Sequence, residues 1–215
     1  MKTPGTTALV LLIAAGMASA TTIAYDYPGL GPNPGNQTWA GALGMDFVVN
    51  STIVVDSLGV FDSNQDGLAV PLTAYIYNES THALLASSSF ATGTGATLVG
   101  GARFQAIAPL VLLPGTYTVV ADGYGALEQN GNRNLGPAFN PAVLNTGGGL
   151  ITYLTSSPYD NNPGVYPSTA YSNFDNQFGA GTFTFDAAAA VPEPGTLLLL
   201  GAGLSAMLVA RRRRS

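Results

Sequence analysis

Val70-Pro71-Leu72-Thr73-Ala74-Tyr75-Ile76-Tyr77 is the stretch from which the fold class is read. Leu72, Ala74 and Ile76 fall on one face of an extended chain and Thr73, Tyr75 and Tyr77 on the other, the two-residue period of a half-buried strand. Turn formers bound it: Asp62 to Gly67 before, Asn78 to His82 after. Working outward, Leu43 to Val49 and Thr52 to Phe61 read as strands on the N-terminal side. Ile53, Val55 and Ser57 lie there opposite Val54, Asp56 and Leu58. On the C-terminal side come Ala83 to Ala91, then one or two short strands in Ala102 to Leu113 broken at Pro109, then Tyr117 to Ala121, the strongest central strand. Thr22 to Tyr27, Gly149 to Thr155 and Thr182 to Phe185 complete the set. Pro28 to Asn36, Gly123 to Gly149 and Pro158 to Gly181 read as loops, with one helical turn expected near Ala126 to Gln129. About nine strands in about 170 residues, with no long 3.6-residue period, predict an all-β antiparallel β-sandwich, jelly-roll-like in arrangement.

Both ends of the chain differ from this body. Lys2, an apolar run from Ala8 to Ala15 and the small-residue site Ala18-Ser19-Ala20 read as a secretory signal peptide over residues 1–20, cut before Thr21. The competing reading is an uncleaved anchor helix. Residues 21–190 are then the exported β-sandwich domain. Its basic side chains are Arg103 and Arg133 against eleven acids, a net charge of −9 where the whole chain carries −5. A body this acidic excludes electrostatic binding of nucleic acid. With no cysteine in the chain, thiol catalysis and cysteine-ligated zinc are excluded, and stability must come from core burial or a metal.

The C-terminal residues 191–215 have three parts in order. Val191-Pro192-Glu193-Pro194 is held extended by its prolines and presents one carboxylate. Thr196 to Ala210 is apolar and uncharged. As a helix it reaches about 22 Å against a hydrocarbon core of about 30 Å, short for a permanent transmembrane helix unless arginines snorkel and the bilayer thins. Arg211, Arg212, Arg213 and Arg214 then resist translocation and hold that end in the cytoplasm. A buried C-terminal core helix is the plainer alternative; the flanking Pro-Glu-Pro and arginines fit a membrane stop better.

This tail resembles the PEP-CTERM sorting signal of Gram-negative bacteria. The resemblance implies recognition by an exosortase after export through the Sec translocon. It also implies retention at the inner membrane before processing, and delivery to the cell surface or an extracellular matrix, often beside exopolysaccharide. A second resemblance spans roughly Thr52 to Gly125. Leu58-Gly59-Val60-Phe61-Asp62, Asp66-Gly67-Leu68, Leu84-Leu85-Ala86-Ser87, Phe104, Pro109-Leu110 and Pro114-Gly115-Thr116-Tyr117 are similar to a sandwich domain of unassigned function that travels with this tail. It implies fold more than chemistry.

Few residues carry chemistry. Asp62-Ser63-Asn64-Gln65-Asp66-Gly67 has the D-x-[DN]-x-[DN]-G opening of a calcium loop, with Asp62, Asn64 and Asp66 as candidate ligands. The bidentate glutamate expected at position twelve is replaced by Thr73, and strands flank the loop, so it is no EF-hand. A polar hairpin turn has the same composition. His82 is the one histidine and sits in a polar turn; no G-x-S-x-G elbow is present. A glycosidase carboxylate pair needs only spatial neighbours, which eleven acids supply by chance. Three glycosylation sequons, at Asn36, Asn50 and Asn78, read as chance in an Asn/Ser/Thr-rich chain. Trp39, Tyr75, Tyr77, Tyr124, Tyr153, Tyr159, Tyr166 and Tyr171 are candidates to stack on sugar rings; packing on a half-buried face is the alternative for Tyr75, Tyr77 and Tyr153. The expectation is a non-enzymatic surface or matrix protein, structural or adhesive, with a carbohydrate-binding module for exopolysaccharide as the alternative. No cofactor is expected beyond calcium.

The tail makes a testable claim. Replacing Arg211 to Arg214 with serines removes the stop, so full-length protein is expected in the periplasm or medium. Fractionation and immunoblotting check this; retention and processing like the parent would remove the role assigned to the arginines.

Overall fold

The computed structural model describes residues 21–27, 35–135, 143–171 and 173–189. The expected signal helix, the C-terminal transmembrane helix, Val191 to Pro194 and Arg211 to Arg214 lie outside the described residues. In chain order the strands are β1 (Thr22–Ile23), β2 (Tyr25–Asp26), β3 (Leu43–Val49), β4 (Ile53–Phe61), β5 (Leu72–Asn78), β6 (Leu84–Phe90) and β7 (Thr97–Val99). They continue with β8 (Ala102–Leu112), β9 (Gly115–Asp122), β10 (Gly131–Asn132), β11 (Val143–Leu144), β12 (Ile151–Tyr153), β13 (Phe178–Gly179) and β14 (Gly181–Ala187).

The alternation of the opening stretch is realised in β5. Leu72, Ala74 and Ile76 are buried in the core, while Thr73 and Tyr75 are half-buried on the other face. Ten of the strands form two five-stranded antiparallel sheets, ordered β1-β14-β4-β8-β7 and β12-β3-β9-β5-β6. The chain passes from one sheet to the other between β3 and β4, β4 and β5, β6 and β7, and β8 and β9. The sheets meet across one hydrophobic core, as a sandwich requires. Phe47 of β3 lies 4.7 Å from Phe183 of β14 between ring centroids. Each such fully buried side chain contributes about 1.5–3 kcal/mol, and with no cysteine this burial carries most of the stability.

Three expectations are corrected. The first strand is two: Tyr25 donates its N–H to Thr182 Oγ1 and accepts from that hydroxyl at its carbonyl, so the chain steps off β14 after Ala24 and pairs as β2 with β11 instead. The region 102–113 is one continuous strand. Pro109 does not break it, because Ile107, Ala108 and Pro109 bulge opposite the single residue Asp56, where no ladder N–H is required. The helical turn expected near Ala126 to Gln129 is absent; a short 3-10 turn forms at Arg133–Leu135 instead. The Glu128 carboxylate is drawn inward to accept from Ser63 N (2.8 Å) and Ala69 N (2.7 Å), which holds its segment out of helix.

Asp62 is the other buried anchor of that loop. It is fully buried, and its Oδ2 accepts from Arg103 Nε at 2.6 Å and from Gly67 N at 3.2 Å. The guanidinium goes on to Ala96 O at 3.0 Å. Removing one partner of a buried pair leaves an uncompensated charge, worth about 3–5 kcal/mol. Arg103→Leu is therefore expected to lower unfolding stability by about 3–5 kcal/mol in urea titrations, with part recovered in Asp62→Asn/Arg103→Leu. A single variant within about 0.5 kcal/mol of the parent would contradict this.

Candidate functional site

The central strand β9 is buried along most of its length on both faces, not one. Val119 and Ala121 face the core, and Thr118 and Val120 are equally inaccessible on the outer side. The segment 154–171 lies over them. Gly44 on β3 shows how close it comes: a Cβ there would stand 2.8 Å from Thr118 Cγ2, 3.0 Å from Pro167 Cγ and 3.2 Å from Pro158 Cγ.

Two buried acids pin this cover. Asp46 accepts from Thr118 Oγ1 at 2.6 Å and from Ser156 Oγ in the cover. Asp122 accepts from Gly164 N. Burial pushes both carboxyls above the usual carboxylate range, against the pull of these hydrogen bonds. Tyr75, beside Asp122, is pushed up to about 12 by burial and by that charge.

At one end of the cover, two of its tyrosines meet the segments before β3 and after β10 in an open cleft of about 180 Å³. Its apolar lining is Trp39, Leu43, Tyr159, Tyr171, Phe178 and Leu135. Trp39 meets Tyr159 edge-on at 5.5 Å, Tyr159 meets Tyr171 at 6.3 Å, and Tyr171 lies against Phe178 at 6.4 Å. Trp39 is fixed by Nε1–H to Asp160 O at 3.1 Å, and Tyr159 by two backbone hydrogen bonds to Thr169.

Amides complete the lining. Gln37 Oε1 accepts from Asn130 Nδ2 (2.8 Å) and Asn132 Nδ2 (3.1 Å), which leaves its NH₂ group as a donor for the cleft. Asn134 donates to the Tyr171 hydroxyl at 2.7 Å, which leaves its own carbonyl oxygen and the tyrosine proton. The described lining residues thus combine aromatic faces with uncharged donors and acceptors, and none carries a carboxylate, imidazole or cation.

The candidate residues named from the sequence fall in different places. Trp39, Tyr159 and Tyr171 are brought together. Tyr124 is not available: it is buried, and its hydroxyl bonds Phe61 O and Ala180 O. Tyr153 packs edge-on against Tyr25 and donates to Ala24 O. Tyr75, Tyr77 and Tyr166 form a separate aromatic group under the cover, and the exposed His82 ring stacks on Tyr166 at 3.8 Å. In the calcium-type loop, Asp62 is turned inward to Arg103, while Asn64 and Asp66 are exposed. Among the described residues no group of three His, Cys, Asp or Glu is placed to hold a metal. Gln37, Asn132, Asn134 and Phe178 went unnoticed in the sequence. A signal existed: Asn130, Asn132 and Asn134 recur with the period of a strand in a stretch read as loop.

Beyond this fold, residues 190–214 match the PEP-CTERM protein-sorting motif. No curated protein matches the chain. The chain thus carries a C-terminal sorting motif beside an all-β body, and the motif implies exosortase targeting, export and sorting to the cell surface.

The buried acids set a pH dependence. Asp46 and Asp122 bind protons more readily folded than unfolded, so their contribution to stability is present at low pH and lost as pH rises through the raised folded values. Melting temperature is expected to rise as pH falls through the raised folded values toward the ordinary carboxylate value, the reverse of ordinary acid denaturation. Asp46→Asn and Asp122→Asn are each expected to flatten that slope in thermal melts.

Proposed function

We propose that the exported body serves at the cell surface or in the extracellular matrix as a non-catalytic adhesive component that binds neutral sugar units of an exopolysaccharide in the Trp39–Tyr159–Tyr171 cleft. The observation that carries this reading is the lining: aromatic faces for the C–H face of a sugar ring, beside the Gln37 NH₂ group, the Asn134 carbonyl oxygen and the Tyr171 hydroxyl for its hydroxyls. At about 180 Å³ the cleft is smaller than the roughly 300–1,000 Å³ of pockets for drug-sized ligands, and so suits one ring rather than a buried oligosaccharide. No cation lines it, and the body is acidic, which disfavours uronates. The same lining offers no general acid or base, which supports binding over hydrolysis.

Delivery follows from the ends of the chain in this proposal. Residues 1–20 lead the protein to the Sec translocon, the apolar stretch Thr196 to Ala210 and Arg211 to Arg214 hold it in the inner membrane, and exosortase acts at Val191-Pro192-Glu193-Pro194 before release. A purely structural matrix role without sugar binding is what the test below would leave standing.

A glycan array followed by calorimetry on the purified protein tests the reading. Weak binding of neutral glycans is expected, and Trp39→Ala is expected to reduce affinity about tenfold or more, since losing an aromatic anchor costs upward of about 1.4 kcal/mol. Tyr124→Phe, outside the cleft, should bind as the parent does. Absence of glycan binding, or binding indifferent to Trp39, would end the sugar reading.

A further inference from the structure

The two large sheets have four edges, and three are short: β1 has two residues, β7 three and β12 three. The fourth edge, β6, has seven, and its one ladder partner is β5. An edge strand leaves backbone N–H and C=O groups of alternate residues outside any ladder, a template for another strand. Proteins blunt long edges with charge or proline. Leu84-Leu85-Ala86-Ser87-Ser88-Ser89-Phe90 has neither. A bulge displaces Leu85, yet Ala86 to Phe90 stay in regular register opposite Ile76 to Leu72.

The surroundings share this character. Leu84 is 52 % exposed and Leu85 37 %, and on β8 and just beyond it Val111 is 56 % and Leu113 62 % exposed. A shallow groove runs between Leu85 and the bulge at Pro109. No Asp, Glu, Lys or Arg occurs from Ser80 to Ala102 or from Phe104 to Ala121, and Arg103 between them is buried. Two bodies of charge −9 repel one another, and β6 itself carries no charge; the acids nearest it are Glu79 in the turn before it and Asp56 opposite the bulge, so repulsion is low along this edge.

We propose that β6 is a self-association edge: it pairs antiparallel with β6 of a second copy about a two-fold axis near Ser88, joining two five-stranded sheets into one of ten strands. Identical strands paired antiparallel form a closed, isologous contact. The main chain supplies the hydrogen bonds, as in strand addition generally. The three serines keep side-chain bulk low at the axis, and Leu84 and Leu85 of each copy cover the partner's exposed apolar side.

The test uses the full chain in mild detergent, so that the tail is common to every sample, with mass read by light scattering across a dilution series. A dimer is expected. The double variant Ser87→Lys/Ser89→Lys places like charges across the pairing and is expected to weaken it about tenfold or more. The control Leu127→Lys, at another exposed position, should leave it unchanged, and unchanged circular dichroism spectra show that the variants fold. Because the chain lacks cysteine, single variants Ser87→Cys, Ser88→Cys and Ser89→Cys supply an independent reading: oxidation should give covalent dimers most readily at the position nearest the axis, and not at Leu127→Cys. A parent that stays monomeric, or a dimer that neither the lysines nor the cysteine positions detect, overturns the proposal. So does capture of a different protein by β6 in place of a second copy.

Discussion

The outer face of β9 must be kept from water, and much of the molecule follows from that need. Val120 and Tyr77 are apolar on what would be a solvent face in a simple sandwich, and Thr118 is buried there with them. A sheet carrying this composition is unstable until something covers it. The cover is chain without ladder of its own, so it needs other anchors: Asp46 to Ser156, Asp122 to Gly164, and backbone bonds such as Gly44 N to Pro158 O. Once pinned, it projects Tyr159 and Tyr171 past the sheet end toward Trp39. The cleft is thus a by-product of covering a strand, held by the hydrogen bonds that pin the cover and Trp39.

The acids of this protein have a structural use that net charge alone conceals. Asp46, Asp62, Asp122 and Glu128 are buried; the three aspartates accept hydrogen bonds that fix a loop to a sheet, and Glu128 ties its loop to the one between β4 and β5. In a chain without cysteine they do the tethering a disulfide would do in other secreted domains. A buried carboxylate is costly when charged and cheap when protonated. The protein therefore ties its loop anchors to the pH of its surroundings, which for an exported protein are not buffered by the cell interior.

Much of the fold was legible because strand period and turn chemistry are local. β3 was read with its observed ends, and β4, β5, β6 and β9 to within a residue or two. The misreadings came where a distant partner decided. Pro109 was taken as a break because a proline lacks a donor, but the bulge opposite Asp56 makes that donor unnecessary. Ala126 to Gln129 looked helical until Glu128 found the amides of Ser63 and Ala69. The turn motif made Asp62 a candidate calcium ligand with a polar turn as the alternative; its ion pair with Arg103, forty-one positions on, was not legible from the motif.

By itself, the sequence determined the all-β class, the acidic and cysteine-free character of the body, and the sorting address at the C-terminus, because composition, period-two alternation and a linear motif need no knowledge of neighbours. Tertiary structure alone decided which tyrosines are free and which are buried, which acids anchor loops, and which sheet edge is left long and uncharged. Those properties depend on residues far apart in the chain: Trp39 and Tyr159 meet 120 positions apart, and Asp122 of β9 meets Gly164 of the cover across 42. The reach of a local pattern ends at its own strand, and the cleft is built where several strands end together.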